Sequence, residues 1–115
     1  MLNSFLNTGL WSTYDYENED NLDDKYCISD IDDNFKTECQ VFIDDFMIKA
    51  KHLFTLEELE DETVIAHNLW LTIEGHGAGF WDGDYKNGDE LTEICKELVK
   101  NTEQFGEKLN DNINR

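Results

Sequence analysis

The densest chemistry in the chain lies between Thr72 and Glu90, in the run TIEGHGAGFWDGDYKNGDE. Counted from Asp82, it sets Asp82, Asp84 and Glu93 at the first, third and twelfth places of a calcium-binding loop. Lys86 then falls at the fifth place, which needs an oxygen ligand. Asn87 falls at the sixth, which needs glycine, with Gly88 one place late. Asp89 falls where an apolar residue belongs. The spacing therefore predicts no tight calcium site. His76 adds one imidazole and reads as a hydrogen-bonded loop residue. Gly75-His76-Gly77-Ala78-Gly79 resembles a fragment of a phosphate loop. It lacks the Gly-Lys-Ser/Thr ending, no strand precedes it, and the carboxylates that follow repel phosphate. The remaining reading is a structured turn. Gly75, Gly77 and Gly79 permit close backbone approach, and Phe80 and Trp81 act as anchors, one in the core and the other at the rim. Nucleophilic chemistry finds no support: there is no Gly-x-Ser-x-Gly, no Cys-x-x-Cys, and Cys27 has no evident base partner. No enzyme activity, cofactor or resident metal is expected.

Charge is the second source of function. Nine Lys and Arg stand against 27 Asp and Glu, for a net charge of −18. Such a surface repels nucleic acid and anionic membranes, and it attracts basic proteins over a Debye length of about 10 Å. The acids come in runs. Glu17, Glu19, Asp20, Asp23 and Asp24 form a first group. Asp30, Asp32, Asp33, Asp44 and Asp45 follow. Glu57, Glu58, Glu60, Asp61 and Glu62 crowd one helix start, beyond what the helix dipole can use. These are the candidate partner-binding residues, together with His76, Phe80, Trp81, Asp82 and Asp84 of the glycine-rich loop. The competing reading is that charge runs are solvated faces.

The elements that must hold these groups are helical. The chain of 115 residues is one domain, 1–115, and it contains no proline to interrupt a helix. Leu2, Phe5, Leu6 and Leu10 predict a short helix over 2–12, weakened by Gly9. Ile31, Phe35, Cys39, Phe42, Ile43, Phe46, Met47, Ala50 and Phe54 keep a helical period over 31–54, on a segment opened by Ser29-x-x-Asp32. Thr55 and Glu58 form a capping-box pattern, and Leu56, Leu59, Thr63, Ala66, Trp70 and Ile73 predict a buried stripe over 56–73. Leu91, Ile94, Cys95, Leu98, Val99, Thr102 and Phe105 predict a third long helix over 90–105, capped by Asp89. Gly106 could end it before a frayed polar tail, or Leu109 and Ile113 could extend the stripe. The expected fold is mainly all-α, a small bundle of three to four helices with a glycine-rich loop, and no C-terminal strand is expected. Cys39 and Cys95 read as core residues. No signal peptide and no 18-residue apolar run occurs, so a cytoplasmic protein is expected.

The block LWLTIEGHGAGFWDGD, residues 69–84, is similar to the central block of an uncharacterised family of small tailed-phage and prophage proteins. Its members read W-L-T-x-x-G-H-G-A-G-F-W-D, followed by Leu-Thr and a helix. The matching positions are Trp70, Leu71, Thr72, Gly75, His76, Gly77, Ala78, Gly79, Phe80, Trp81 and Asp82, then Leu91 and Thr92. The pieces LWST (10–13) and LDDKYCISDI (22–31) also resemble that family, so the likeness spans about residues 6–106. Family members continue past Phe-Gly-Glu into a strand-like tail, whereas Phe105-Gly106-Glu107 here leads to KLNDNINR. The resemblance implies a phage or prophage setting in a bacterial cytoplasm. With the charge, it implies an inhibitor that blocks a basic host protein, a nucleic-acid-binding or defence protein of the restriction or CRISPR type, through a DNA-mimicking acidic surface. No direct nucleic-acid or membrane contact is expected. The alternatives are an interaction module anchored by the Gly-His-Gly-Ala-Gly-Phe-Trp loop, and a divalent-metal-binding protein.

Overall fold

A computed structural model describes residues 1–15, 17–75, 78–82, 85–100 and 104–115. It is mainly all-α, 68% helical. The helices are α1 (Leu2–Ser12), α2 (Asp33–Ala50), α3 (Leu56–Leu59), α4 (Glu62–Ile73), α5 (Gly88–Val99) and α6 (Phe105–Asp111). Strands β1 (Tyr14–Asp15) and β2 (Asp20–Asn21) form a small antiparallel hairpin, pairing Tyr14 with Asn21 and Asp15 with Asp20. The four principal helices stand where the apolar periods put them, and α3 and α6 are short additions.

Helix α2 buries Phe35, Cys39, Ile43, Phe46 and Ala50 on one stripe. It starts later than the Ser29 pattern suggests. Residues Ile28–Asp30 make a separate 3₁₀ turn, and Asp32 is the real cap, its carboxylate accepting from Asn34 N at 3.0 Å. The expected single helix over 56–73 is two. Thr55 and Glu58 close their capping box, at 2.8 and 3.1 Å, around one turn only. Asp61 then caps a new helix by accepting from Thr63 Oγ1 at 2.7 Å and Val64 N at 3.3 Å. A short acid that competes for backbone N–H groups ends one helix and starts another. The break turns the apolar face. Ile65, Ala66, Leu69 and Trp70 are buried, while Thr63 is exposed and Leu56 is 84% exposed.

Helices α1 and α4 pack side by side and parallel. Ser4 Oγ donates to Thr63 O at 2.8 Å, and Thr8 Oγ1 lies 3.0 Å from His67 Nδ1. Gly9 is where the Trp70 ring crosses: a Cβ there would lie 2.8 Å from the indole. The glycine that weakens α1 locally therefore admits the largest core side chain. Phe5 meets Trp70 edge-on at 5.0 Å, and Phe105 continues the aromatic core to Phe35 and Phe42. Cys39 and Cys95 are buried in it.

The third long helix is also shorter than its stripe. It begins at Gly88 with Asn87 in the cap position, so Asp89 lies in the first turn instead of capping. Phe105 begins α6, and Gly106 lies in the first turn of that helix rather than ending the previous one. The Gly106 N–H donates to the Glu74 carboxylate at the end of α4. The tail is not frayed, because Leu109 and Ile113 are buried and Ile113 forms an isolated antiparallel bridge with Ile31.

Candidate functional site

The described residues of the glycine-rich loop, Gly75 and 78–82, follow the end of α4. Gly75 takes φ +70 and Gly79 φ +154, conformations open to glycine and costly for other residues. Thr72 pins the turn. Its hydroxyl donates to Asn68 O at 2.7 Å and accepts from Phe80 N at 3.1 Å. A Cβ on Gly79 would lie 2.4 Å from Thr72 Oγ1 and 2.5 Å from the Trp81 ring. Gly88, at the start of α5, meets the same turn, since a Cβ there would lie 2.1 Å from Phe80 O. The two aromatics divide as expected. Phe80 is fully buried, stacked on Phe46 at 5.7 Å and meeting Tyr85 edge-on at 5.0 Å. Trp81 is 38% exposed and lines a cleft of about 490 Å³ with Thr72, Asp89, Thr92, Glu93 and Lys96. Asp82 is exposed beside it.

His76 and Asp84 lie outside the described residues. Glu93, the twelfth position of the calcium spacing, faces Lys96 at 3.4 Å. Among the described residues, no group of three or more His, Cys, Asp or Glu is placed to hold an ion. The Cys39 and Cys95 thiols are pushed up to about 12 by burial, which leaves them protonated and inert at neutral pH. Cys27 is exposed, with its sulfur 3.0 Å from Ser29 Oγ.

The carboxylates do not form one sheet of charge. Glu17, Glu19, Asp20, Asp23 and Asp24 follow the C-terminal end of α1. Glu57, Glu58, Glu60, Asp61 and Glu62 sit at the N-terminal end of α4. Because α1 and α4 are parallel and about 17 Å long, these groups occupy opposite ends of the pair. Asp44 and Asp45 lie on the outer side of α2, near the exposed Val41 and Ile48. Several of the acids have structural work. Asp30 accepts from Cys27 N at 2.9 Å, and Asp32 caps α2. Glu58 closes the Thr55 box and also accepts from Lys86 N at 3.1 Å, which ties α3 to the stretch before α5. The Asp61 carboxyl is held below its ordinary range, first by the Thr63 hydroxyl and then by the Val64 N–H. Among the described residues, ion pairs reach only Asp15, Glu17, Asp33, Glu38, Asp45 and Glu93. Of the 25 described Asp and Glu, the other 19 are in no ion pair.

No family model, curated protein or solved structure matches this chain.

Two groups escaped the reading of the sequence. Asp15, in strand β1, is buried; Asn18 Nδ2 donates to it at 2.6 Å and Arg115 Nη2 lies 3.3 Å away. The Asn18 hydrogen bond is the main reason its carboxyl sits below the usual range. Arg115 also pairs with Glu17 at 2.9 Å, so the tail is fastened to the hairpin. Glu74 is pushed up by burial, against the opposing Gly106 N–H. Arg115 reaches Asp15, and Gly106 reaches Glu74, from far along the chain, so no local pattern marks these contacts, although the Asn18 bond to Asp15 spans only three residues. The lone Arg near the chain end was the one available hint.

Proposed function

We propose that this chain is a non-enzymatic binding protein that occupies the basic nucleic-acid channel of a partner, in the manner of a phage-type inhibitor of a host restriction, CRISPR or other nucleic-acid-binding protein. The observation that carries the proposal is the surplus of unpaired, exposed carboxylates on a folded helical scaffold. Duplex DNA carries one charge per about 1.7 Å of axis. Carboxylates held on helix surfaces compete for the same Lys and Arg. Helix α3 and the start of α4 supply them from Glu57, Glu60 and Glu62, and the hairpin and the turn after it from Glu19, Asp20, Asp23 and Asp24, while Glu17 is paired with Arg115. Glu58 and Asp61 belong to the caps and contribute to shape first.

The test is competition. The protein is added to a panel of restriction endonucleases and CRISPR nucleases bound to a fluorescent duplex, at two salt concentrations. Displacement of the duplex that weakens steeply with salt is the expected result. The variant Glu57→Gln, Glu60→Gln, Glu62→Gln leaves both caps intact and is expected to lose at least tenfold in competition at low salt. No displacement of duplex from any member of the panel refutes the proposal.

A second reading rests on Trp81, an exposed indole beside a cleft on a turn that Thr72, Gly79 and Gly88 hold in place. There Trp81→Ala would cost about 2 kcal/mol of affinity or more, with little salt dependence, and the triple Gln variant would bind like wild type.

A further inference from the structure

The outer side of α2 is polar at most of its exposed positions, with Asp33, Asn34, Thr37, Glu38, Asp44 and Lys49. Val41 and Ile48 break the pattern, at 63% and 81% exposure. They lie seven residues apart, which is two turns and about 10 Å along one side of the helix. A lone exposed apolar residue needs no explanation. These two, however, line a groove of about 490 Å³ between α2 and the pair α5 and α6. Its apolar lining continues through Phe42, Leu98 and Phe105. Phe105 is part of the core, and Phe42 and Leu98 pack against it. Val41 and Ile48 thus adjoin apolar surface that reaches inward.

Carboxylates line the same groove. Glu38, Asp44 and Asp45 face it, with Lys108 as the one cation among the described lining residues. Lys108 is paired with Glu38, and Asp45 holds Lys49 at 3.5 Å on the exposed surface. Asp44 accepts from Gln40 Nε2 at 2.8 Å and is in no ion pair among the described residues.

The mixture selects the occupant. An uncharged apolar segment would take Asp44 out of water with no cation to meet it, which is costly. A second copy of the chain would set three more carboxylates against these three. Nucleic acid and anionic membranes are repelled for the same reason. A segment with apolar side chains on one face and Lys or Arg beside them satisfies both parts of the groove. A helix returns to the same face after seven residues, the spacing of Val41 and Ile48, and its apolar residues then recur at three and four.

We propose that this α2 groove is the docking site for a basic amphipathic helix of a partner protein. The proposal rests on the reading above only for the sign of the partner's charge. It adds an apolar contact, which a DNA-mimicking surface does not use.

The probe is a fluorescein-labelled peptide of about 18 residues, about five helical turns, with Leu on one face and Lys elsewhere. A second peptide has the same residues in an order that leaves no apolar face. Anisotropy titration at about 0.15 M salt is expected to show the amphipathic peptide binding at least tenfold more tightly than the shuffled one. The double variant Val41→Asp, Ile48→Asp is expected to abolish that preference, with circular dichroism unchanged because both side chains stand in solvent. The sign is informative, since two added carboxylates strengthen any contact made by charge alone. Equal binding of the two peptides to the wild-type protein overturns the proposal. So does a double variant that holds the amphipathic peptide as tightly as wild type or more so. The titration contains no nucleic acid and no nuclease, so it can succeed where duplex displacement fails, and the reverse.

Discussion

Replacing Gly88 with Ala isolates the contact that holds the aromatic turn. An alanine at a helical position ordinarily gains about 1 kcal/mol over glycine. At Gly88 the new Cβ would lie 2.1 Å from Phe80 O and 3.1 Å from Phe80 C. Carbon and oxygen rest comfortably at about 3.5 Å, so more than an ångström must be recovered. The obstacle is backbone, and Phe80 itself is stacked on Phe46 and held by Thr72. Neither side yields without opening the core. Overpacking of this kind costs about 1–3 kcal/mol, and rigid contact on both sides argues for the upper end. After the gain in helix propensity, the net loss is about 2 kcal/mol. For a domain of this size that lowers Tm by about 8 °C. Urea denaturation followed by helical circular dichroism measures it, with Gly106→Ala as the comparison. There the Cβ meets Glu74 Oε1 at 2.9 Å, the movable end of a side chain, and a smaller loss is expected. A Gly88→Ala protein as stable as wild type, or less affected than Gly106→Ala, refutes the reasoning.

Three further outcomes follow from the same geometry. Thr55→Ala opens the capping box of α3 and should cost about 1 kcal/mol in urea denaturation, whereas Leu56→Ala, at an exposed position, should cost little. Glu74 has a raised folded pKa, so the native state holds its proton more tightly than the unfolded chain and this contribution is lost as pH rises through the folded value. Glu74→Gln, which keeps an acceptor for Gly106 N, should therefore be more stable than wild type at neutral pH, and the two should converge below the ordinary Glu value of about 4.3. Asp15 has a lowered folded pKa and the opposite sign: its contribution is present above the unfolded value of about 3.9 and disappears as pH falls through the folded one, so Asp15→Asn should flatten the acid limb of a stability–pH profile.

Short-range information in the chain was enough to determine that this protein is mainly helical and where its principal helices lie. A stripe such as Phe35, Cys39, Ile43, Phe46 needs only the helical period to be recognised, and the structure buries all four. The Thr55–Glu58 box was legible from its local spacing, and so was the burial of one member of the Phe80–Trp81 pair, but the folded chain decided that Phe80 is the buried one. Tertiary structure decided what depends on partners distant in sequence. A run of five acids looks uniform from Glu57 to Glu62, yet only the folded chain makes Asp61 a cap, turns α4 so that Ile65 and Leu69 face inward, and spends Glu58 on Lys86 N. Glycine shows the limit most plainly. Gly9 reads as a weak spot, but it gives room to Trp70, 61 residues away. Gly106 reads as a stop, but it lies in the first turn of a helix, where its N–H donates to Glu74. In each case the residue type sets what the backbone can do, and the neighbour that arrives from elsewhere in the chain decides which of those possibilities is used.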